Sequence, residues 1–340
     1  MSTPRPSSAA AAHGATIDPV PIDQALRPSA WEEYVGQRDI KANVRVAIDA
    51  AKKRGGMPEH LLFYGPPGVG KTTLAYLVAN ALDAPLKSTS GVAIERAADL
   101  AAILTNLDPG TVLFIDEIHR LSHKIEELLY PALESGRLDL VLGKGPSART
   151  VELALPAFTL VGATTRLADL SGPLRSRFSG GVFQLDFYSE EDIRDILGRS
   201  AKMLGVAAPE EVVELIAARS RATPRVANSL LKRVRDYAQV HEEPVSRRSA
   251  KEAFALFGVD DLGLGKDDRR YLETLEQSFR GGPAGIRALA AALHEDPDAV
   301  EQVYEPFLLR LGFIERSPRG RLLTEKGRRY LRHDEPGGFL

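Results

Sequence analysis

The sequence predicts an α/β fold, in which a core with a parallel sheet is followed by a small helical domain and a C-terminal winged-helix domain. Between about residues 40 and 188, the apolar runs LLFYG, TVLFID and FTLVGATT each precede a polar or turn-rich segment, which indicates a parallel core. From Ser189 to about Val259 the apolar spacing is helical throughout. After a Gly- and Asp-rich break at 258–268, the helical stretches RRYLETLEQSF, AGIRALAAALH and DAVEQVYEPFLLRLG precede two strand-like pieces, FIERSP and RLLTEK. That order is typical of a winged helix.

Length and composition suit this division. The chain has 340 residues, of which 44% are hydrophobic, and a net charge of −2, so each domain can bury a core and no wholly basic surface is expected. The absence of cysteine excludes disulfides and thiolate sites and is typical of a reducing cytoplasm, the compartment that we expect. No apolar run reaches membrane-spanning length. We expect domains at residues 21–188, 189–259 and 262–340, after a disordered tail at residues 1–20.

A glycine-rich loop, GPPGVGKT, begins at Gly65 between the first strand and the helical pattern TTLAYLVANAL. Gly65, Gly68 and Gly70 lack a Cβ, so the backbone can turn successive amide N–H groups toward one anion. Lys71 can then reach the β- and γ-phosphates, and the Thr72 hydroxyl is placed to ligate Mg²⁺. A chance match is the alternative, but every motif position is filled in the required order of strand, loop and helix. The predicted substrate is a nucleoside triphosphate.

The next buried strand, TVLFID, ends in two carboxylates with different predicted roles. Asp116 and Glu117 lie at its carboxyl end, where open α/β sheets bind ligands. We expect Asp116 to hold Mg²⁺ through its water shell and Glu117 to polarise the water that attacks the γ-phosphate. His119 and His123 nearby have the i, i+4 spacing of helical metal ligands, but HRLSH lacks the inner Glu of a metalloprotease and has no evident third ligand.

A phosphate loop followed by an Asp-Glu pair resembles the AAA+ ATPases, and later motifs extend this resemblance. FTLVGATTR matches the strand that carries the sensor 1 residue of that superfamily, which falls on Thr165, with Thr164 as the alternative. In PLRSRF, Arg177 falls where the arginine finger reaches into the neighbouring subunit's ATP site, and Arg175 is a near competitor. TPRVAN, which opens a helix of the small domain, matches sensor 2 at Arg225.

The resemblance narrows to one AAA+ family. LRP, WEEYVGQ, LFIDEIHRL, VGATTR, LRSRF, LDFY and TPRVANSLLKRVRDYA are similar to RuvB, the motor of bacterial Holliday junction branch migration. The similarity covers nearly the whole chain from about Leu26 to Arg332 and includes the third domain. It implies ATP and Mg²⁺ as cofactors, a homohexameric ring, double-stranded DNA at Holliday junctions, and RuvA and RuvC as partners in recombination and repair.

The residue roles of the family carry over where its motifs match. They imply nucleotide contacts by Leu26, Arg27, Gly68, Gly70, Lys71, Thr72, Thr73, Arg177, Tyr188 and Arg225. They also imply backbone contacts by Glu134, Ser135 and Gly136, although the family usually has an acidic and then an aromatic residue where this chain has Ser and Gly. A second departure is SGG at 179–181, which is one residue longer than the family's usual turn after the finger.

A basic segment lies near the C-terminus. From Arg310 to Arg332 the sequence has eight Lys or Arg residues against two Glu. The resemblance implies DNA-backbone contacts by Arg316 and Arg321, and Arg319 lies between them at the predicted turn. Backbone contacts carry no sequence information, which suits a motor that moves along any duplex. A solvated run of charges is the alternative.

An inserted hairpin is predicted at residues 133–158, where two alternating apolar runs flank a Gly- and Pro-containing turn. In the RuvB family this hairpin docks onto RuvA, so Leu138, Leu140, Val141 and Leu142 are candidate contacts. The alternative for each side chain is packing on the chain's own core.

The sequence therefore predicts an ATP hydrolase of the helicase and translocase type that drives Holliday junction branch migration. Two other functions remain open. A clamp-loader-like AAA+ subunit would share the ATP site but should end in a helical collar. A nucleotide-gated winged-helix regulator would bind specific sequences and would not move DNA.

Overall fold

The computed structural model describes residues 25–142 and 149–333, so the predicted tail at residues 1–20 lies outside the described part. The strands of its N-terminal part are β1 (Leu61–Tyr64), β2 (Leu86–Ser90), β3 (Thr111–Asp116), β4 (Arg137–Leu142), β5 (Arg149–Ala154), β6 (Phe158–Thr164) and β7 (Gly181–Gln184). The helices are α1 (Arg38–Lys53), α2 (Lys71–Leu82), α3 (Ala97–Thr105), α4 (His123–Ser135) and α5 (Gly172–Ser176). One sheet has the order β2-β3-β6-β1-β7, and every neighbouring pair in it is parallel. The predicted parallel α/β core is confirmed.

The centre and the edges of this sheet differ in sequence pattern. Strands β1, β3 and β6 are buried almost throughout, and parallel strands covered on both faces are accordingly almost entirely apolar. These three strands were predicted from their apolar runs. Strands β2 and β7 were not predicted, because an edge strand needs no continuous apolar run. Their sequences, LKSTS and GVFQ, are partly exposed along their length.

Strands β4 and β5 pair antiparallel as the predicted hairpin, which lies outside the main sheet. Leu138 on β4 is completely buried and belongs to the hydrophobic cluster that also contains residues of α4. Its prediction as a partner contact is therefore wrong, because side chains alternate along a strand and Leu138 faces the core. Leu140, on the same face, is only partly buried against that cluster. The side chains of Val141 and Leu142 lie outside the described part.

The second part is helical, as predicted. It consists of α6 (Glu190–Met203), α7 (Glu210–Arg219), α8 (Pro224–Val240) and α9 (Arg247–Leu256). Its apolar faces do not form a separate core. They join one cluster with α1, α2 and one side of the sheet, with Tyr34 and Tyr188 buried in the same cluster. The helical part and the sheet therefore share a hydrophobic core on one face of the sheet.

The third part is a winged helix with its own hydrophobic cluster. It comprises α10 (Lys266–Phe279), α11 (Ile286–Leu293), α12 (Pro297–Ala299), a π-helical turn (Val300–Tyr304), α13 (Glu305–Arg310), β8 (Ile314–Ser317), β9 (Gly320–Leu323) and α14 (Glu325–His333). The predicted single helix from Asp298 is interrupted by the π turn, because Pro306 has no N–H to donate to the turn before it.

The strand predicted in RLLTEK ends earlier than expected, and α14 was not anticipated. The Thr324 hydroxyl accepts a hydrogen bond of 3.1 Å from the Gly327 N–H. This is an N-cap contact, which favours a helix directly after the strand. None of the described helices is long and apolar enough to span a bilayer.

Candidate nucleotide site and DNA-contacting hairpin

A cleft of about 580 Å³ lies where the phosphate loop, the end of β3 and the helical part meet. It brings together most of the predicted site residues from distant parts of the chain: Leu26, Arg27, Gly68, Gly70, Lys71, Thr72, Thr73, Asp116, Glu117, Tyr188 and Arg225. Thr165, Glu134, Ser135, Gly136 and Arg177 are predicted site residues that do not line it. The arrangement provides amide, ammonium, guanidinium, hydroxyl and carboxylate groups around one space.

The shape of the loop depends on glycine at two close approaches. Gly65 has a φ of +144°, and a Cβ there would lie 2.2 Å from the Leu185 carbonyl oxygen. Gly68 has a φ of +80°, and a Cβ there would lie 3.1 Å from Cβ of Arg225. Any larger residue would therefore push the loop away from β7 or from the start of α8.

Lys71, at the start of α2, is buried with its ammonium group inside the loop. Its Nζ donates hydrogen bonds of 2.8 Å to the carbonyl oxygens of Gly65 and Pro66. Burial lowers the pKa of Lys71 to about 8, against the opposing effect of the nearby Glu117 and Asp116 carboxylates. The ammonium group is still mostly protonated at neutral pH and is held by neutral partners, so an incoming phosphate can take their place.

The residues predicted to hold Mg²⁺ converge. Thr72 Oγ1 donates to Asp116 Oδ2 over 3.5 Å, although the two residues are 44 positions apart. Burial raises the pKa of Asp116, because a carboxylate that is partly removed from water loses hydration of its charged form. A hydroxyl and a carboxylate on one side of the cleft are the hard oxygen donors that Mg²⁺ prefers. The donor set fits this ion.

The two candidate sensor threonines have different surroundings. Thr165 Oγ1 donates to Glu117 Oε2 over 3.2 Å and also lies 3.4 Å from Gln302 Oε1 of the winged helix. Thr164 is fully buried, and its Oγ1 accepts a hydrogen bond of 2.9 Å from the Arg166 N–H and lies 2.9 Å from Nδ1 of His119. Of the two, only Thr165 contacts the predicted catalytic carboxylate.

Aromatic and arginine side chains form the far end of the cleft. The Tyr188 hydroxyl donates to the Val69 carbonyl oxygen in the loop over 3.1 Å and lies 3.2 Å from the Tyr34 hydroxyl. Burial raises the pKa of Tyr188 to about 12, so this hydroxyl keeps its proton. Arg27 stacks on the ring of Tyr76, with its guanidinium 4.7 Å from the ring centroid.

The residues that line this cleft but were not predicted from sequence include Tyr34, Arg199 and Asn228. Arg199 on α6 donates to the carbonyl oxygen of Leu26 over 2.6 Å, so it secures the turn at Leu26, which also lines the cleft. Each lies outside the glycine-rich and acidic motifs, and only the packing of the helical part on the loop brings them to the site. Tyr34 within WEEYVGQ and Asn228 within TPRVAN had a usable signal, since both segments were already part of the resemblance.

The predicted finger, Arg177, lies away from the cleft on the last turn of α5. Its guanidinium forms an ion pair of 2.9 Å with Glu134, donates to the Pro173 carbonyl oxygen over 2.7 Å, and lies 4.3 Å from the Tyr130 ring centroid. The competitor Arg175 is exposed. Arg177 is thus held in a defined orientation next to Glu134, the first residue of the predicted backbone contact at 134–136.

The predicted DNA arginines are on the β8-β9 hairpin. Arg316 and Arg321 face each other in the strand register, and Arg319 lies at the exposed turn between them. Arg316 Nη2 lies 2.6 Å from Oε2 of Glu305, and Arg321 Nε donates to Oε1 of the same carboxylate over 2.8 Å. Glu301 also pairs with both arginines, at 3.4 and 3.1 Å. The basic excess counted from sequence is therefore partly neutralised by carboxylates outside the counted segment.

The winged helix also contacts the ATPase core. Arg166, which follows β6, lies 2.9 Å from Asp298 and 2.8 Å from Glu301, and Arg120 lies 2.7 Å from Asp298. Glu301 is thus shared between Arg166 of the core and the two hairpin arginines. One carboxylate connects the surroundings of the sensor threonines to the predicted DNA contact.

Comparison with known proteins covers the described chain almost completely. Residues 26–184 match the Holliday junction DNA helicase RuvB P-loop domain, residues 188–260 the RuvB AAA lid domain, and residues 261–332 the RuvB C-terminal winged helix domain.

Individual relatives agree with these matches. The chain is 54% identical to the Holliday junction branch migration complex subunit RuvB of Dehalococcoides mccartyi, over 92% of this chain and 90% of that protein. It is 53% identical to the subunit of the same name from Chloroflexus aggregans, over 91% and 89%. Among solved structures, the Thermotoga maritima RuvB Holliday junction branch migration motor superposes with a TM-score of 0.83 at 43% identity, covering 91% of this chain and 99% of that one.

Proposed function

The chain belongs to the RuvB family of AAA+ ATPases, and on this premise we propose that it is an ATP-driven motor that moves Holliday junctions along DNA. The observation that carries the proposal is the convergence of the phosphate loop, the Asp116-Glu117 pair and Arg225 on one cleft, in a chain that ends in a winged helix. A clamp-loader-like subunit would share the cleft but should end in a helical collar. The C-terminal hairpin and its family match argue against that alternative.

In this proposal the cleft binds ATP and the chain's own residues prepare it for hydrolysis. Lys71 and the loop amides bind the β- and γ-phosphates, and Arg225 at the start of α8 reaches the nucleotide from the helical part. Thr72 and Asp116 are the residues that would hold Mg²⁺, which supplies positive charge beside the phosphates when bound. Glu117 orients and polarises the attacking water, and Thr165 holds Glu117.

We propose that each ATP site is completed by a neighbouring subunit in a homohexameric ring. Arg177 does not line the cleft of its own chain, and Glu134 and Tyr130 hold it in a defined orientation away from that cleft. In the neighbour's site it would stabilise transition-state charge, together with backbone groups of Glu134, Ser135 and Gly136. Arginine fingers supply about 10³ to 10⁵ in rate.

We propose that the winged helix tracks duplex DNA through backbone contacts of Arg316, Arg319 and Arg321, in complexes with RuvA and RuvC in the cytoplasm. RuvA is expected at the β4-β5 hairpin, where Leu140, Val141 and Leu142 remain candidates. Val151, opposite Leu140 in the register and 36% exposed, is a further candidate. V151D should weaken RuvA binding without changing ATP hydrolysis by the isolated protein.

The decisive test is ATP-dependent dissociation of a synthetic four-way junction by this protein together with RuvA. We expect duplex products with ATP and none with K71A. If ATP is consumed while junctions of several sequences stay intact, the motor proposal fails. Binding that depends on base sequence, without movement of DNA, would instead favour the nucleotide-gated regulator.

The shared site is tested by mixing two inactive variants, K71A and R177A. A mixed ring contains interfaces with an intact phosphate loop from one subunit and an intact finger from the next, so some hydrolysis should return. R175A, at the exposed neighbouring arginine, is the matched control and should hydrolyse ATP like the unmodified chain. If mixing restores nothing, Arg177 does not act between subunits.

A further inference from the structure

His119 is buried between the predicted catalytic carboxylate and the end of β6. Its Nδ1 lies 3.2 Å from Oε2 of Glu117, and only 3% of its side chain is exposed. The same nitrogen lies 2.9 Å from Oγ1 of Thr164. The sequence suggested no role for His119 beyond the rejected metal site, and the proposed ATPase chemistry does not use it.

We propose that His119 is a positioning residue for ATP hydrolysis, which holds the Glu117 carboxylate in the orientation that polarises the attacking water. The inference rests on the proposed ATPase function and adds a residue to it. His119 itself would touch neither nucleotide nor water.

The hydrogen-bond network identifies the tautomer that does this. His119 Nε2 is buried and has no hydrogen-bond partner among the described residues. A proton on Nε2 would therefore be an unpaired buried donor, and the bare Nδ1 would face a carboxylate oxygen. A proton on Nδ1 avoids both problems, because it can be donated to Oγ1 of Thr164 and lies beside the Glu117 carboxylate. Burial lowers the pKa of His119, in keeping with a neutral ring.

The anchoring leaves one oxygen of the carboxylate available. Thr165 Oγ1 and His119 Nδ1 both approach Oε2 of Glu117, each at 3.2 Å. No hydrogen bond reaches Oε1 from any residue that the structure describes. The hydrogen bond from Thr165 and the adjacent ring nitrogen of His119 both lie at one oxygen and fix the rotation of the carboxylate, so the other oxygen can accept from a water molecule.

The backbone contacts of Glu117 do not orient its carboxylate. Glu117 has a φ of +46°, a left-handed conformation that a residue with a Cβ adopts only at a cost. Its N–H donates to Oδ1 of Asp116 over 3.0 Å, so the turn holds the backbone but not the side chain. The direction of the carboxylate then depends on Thr165 and His119.

The experiment compares variants at His119 that keep or remove a donor at the Nδ1 position. Asn places its amide nitrogen close to that position, whereas Gln places it near Nε2 and Leu has no donor. We expect H119L and H119Q to lower kcat about 10- to 100-fold, because Glu117 would lose one of the two polar contacts that orient its carboxylate. ATP affinity and KM should stay within about twofold, and H119N should recover most of the rate. H123L, at an exposed histidine four residues on, is the matched control.

A double variant separates positioning from a purely structural role. If His119 acts through Glu117, H119L should cost nothing further in an E117Q background, because the group that it positions is already inactive. Losses that multiply would overturn the inference, as would H119N as slow as H119L in folded protein, or H119L as fast as the unmodified chain. Failure of the ATPase proposal would look different, since the unmodified chain would then hydrolyse no ATP.

Discussion

The candidate nucleotide cleft and the β8-β9 hairpin both contain cationic side chains, but they hold these side chains differently. In the cleft, Lys71 is bonded to two backbone carbonyl oxygens and forms no ion pair within the described part of the chain. In the hairpin, Arg316 and Arg321 are each paired with Glu301 and Glu305. Backbone carbonyls carry no net charge and yield readily to a phosphate, whereas a carboxylate must be displaced against its own ion pair.

The difference indicates that an anion can bind Lys71 in the cleft without breaking an ion pair. An anion that binds Arg316 or Arg321 must first displace a carboxylate. Glu305 is completely buried, so its pairs with the two arginines also hold the hairpin onto α13. Glu301 is one third exposed and also pairs with Arg166 of the core. We expect Glu305 to matter for stability and Glu301 to matter for DNA affinity.

Among the variants that distinguish the two regions, E305A is expected to have the largest effect, which is a loss of folding stability. Removing a buried carboxylate leaves two arginines without their main partner, which typically costs about 3–5 kcal/mol. Urea unfolding should show the loss in the transition of the winged helix. E315A, at an exposed position of β8, should change the free energy of unfolding by less than about 0.5 kcal/mol. Equal effects of the two variants would mean that the arginine pairs do not support the hairpin.

On the side of the cleft, K71A should lower ATP hydrolysis by about 10² to 10³, the usual effect of losing one preorganised charged donor. The free energy of unfolding should change little, since Lys71 donates its hydrogen bonds to neutral backbone carbonyl oxygens. Steady-state hydrolysis and urea unfolding measure the two effects, and K52A, on an exposed part of α1, is the control. A large loss of stability in K71A would contradict the contrast between the regions.

A smaller effect of opposite sign is expected from E301Q, which should bind duplex DNA more tightly by about fivefold. The change frees charge on Arg316 and Arg321 without removing either side chain. E315Q, on β8 of the hairpin, makes the same change in net charge, and Glu315 forms no ion pair with the residues that the structure describes. Fluorescence anisotropy at fixed salt compares the DNA affinities of the two variants. Equal gains in affinity would mean that the effect comes from net charge alone.

The smallest expected effect distinguishes the arginines within the hairpin. R319A should weaken DNA binding about equally for all sequences and reduce the salt dependence by about one phosphate contact, because Arg319 is exposed and has no ion-pair partner among the described residues. R321A should change the salt dependence less, since Arg321 is already neutralised. DNA-binding titrations at salt concentrations from about 50 to about 200 mM measure the salt dependence of both variants. A larger slope change for R321A would show that DNA displaces both carboxylates.

Motifs with fixed local geometry were predictable from sequence. The phosphate loop and the Asp116-Glu117 pair each depend on neighbours within a few residues, namely glycines, a strand and a helix start, and they line one cleft as expected. The alternation in the hairpin predicted its strands, yet it could not show which face would be covered. Leu138 was therefore a candidate contact with RuvA, although its side chain is buried in the core of the chain.

Features that join distant segments were not predictable. Charges counted between Arg310 and Arg332 gave a basic excess, but Glu301 and Glu305 lie just before that segment and reach the hairpin through the π turn and α13. Arg199 and Tyr34 likewise reach the cleft only because the helical part packs on the sheet.

By itself, the sequence determined the chemistry that this chain can offer: a phosphate loop, two carboxylates, sensor and finger candidates, and a basic hairpin. These follow from residue types at short spacing, where backbone geometry leaves few choices. Only the tertiary structure decided which arginines are already paired with carboxylates, which threonine contacts Glu117, and that His119 lies next to the Glu117 carboxylate. Burial and contacts between different elements set those properties, since hydrogen bonds and ion pairs depend on distance in space and not on distance along the chain.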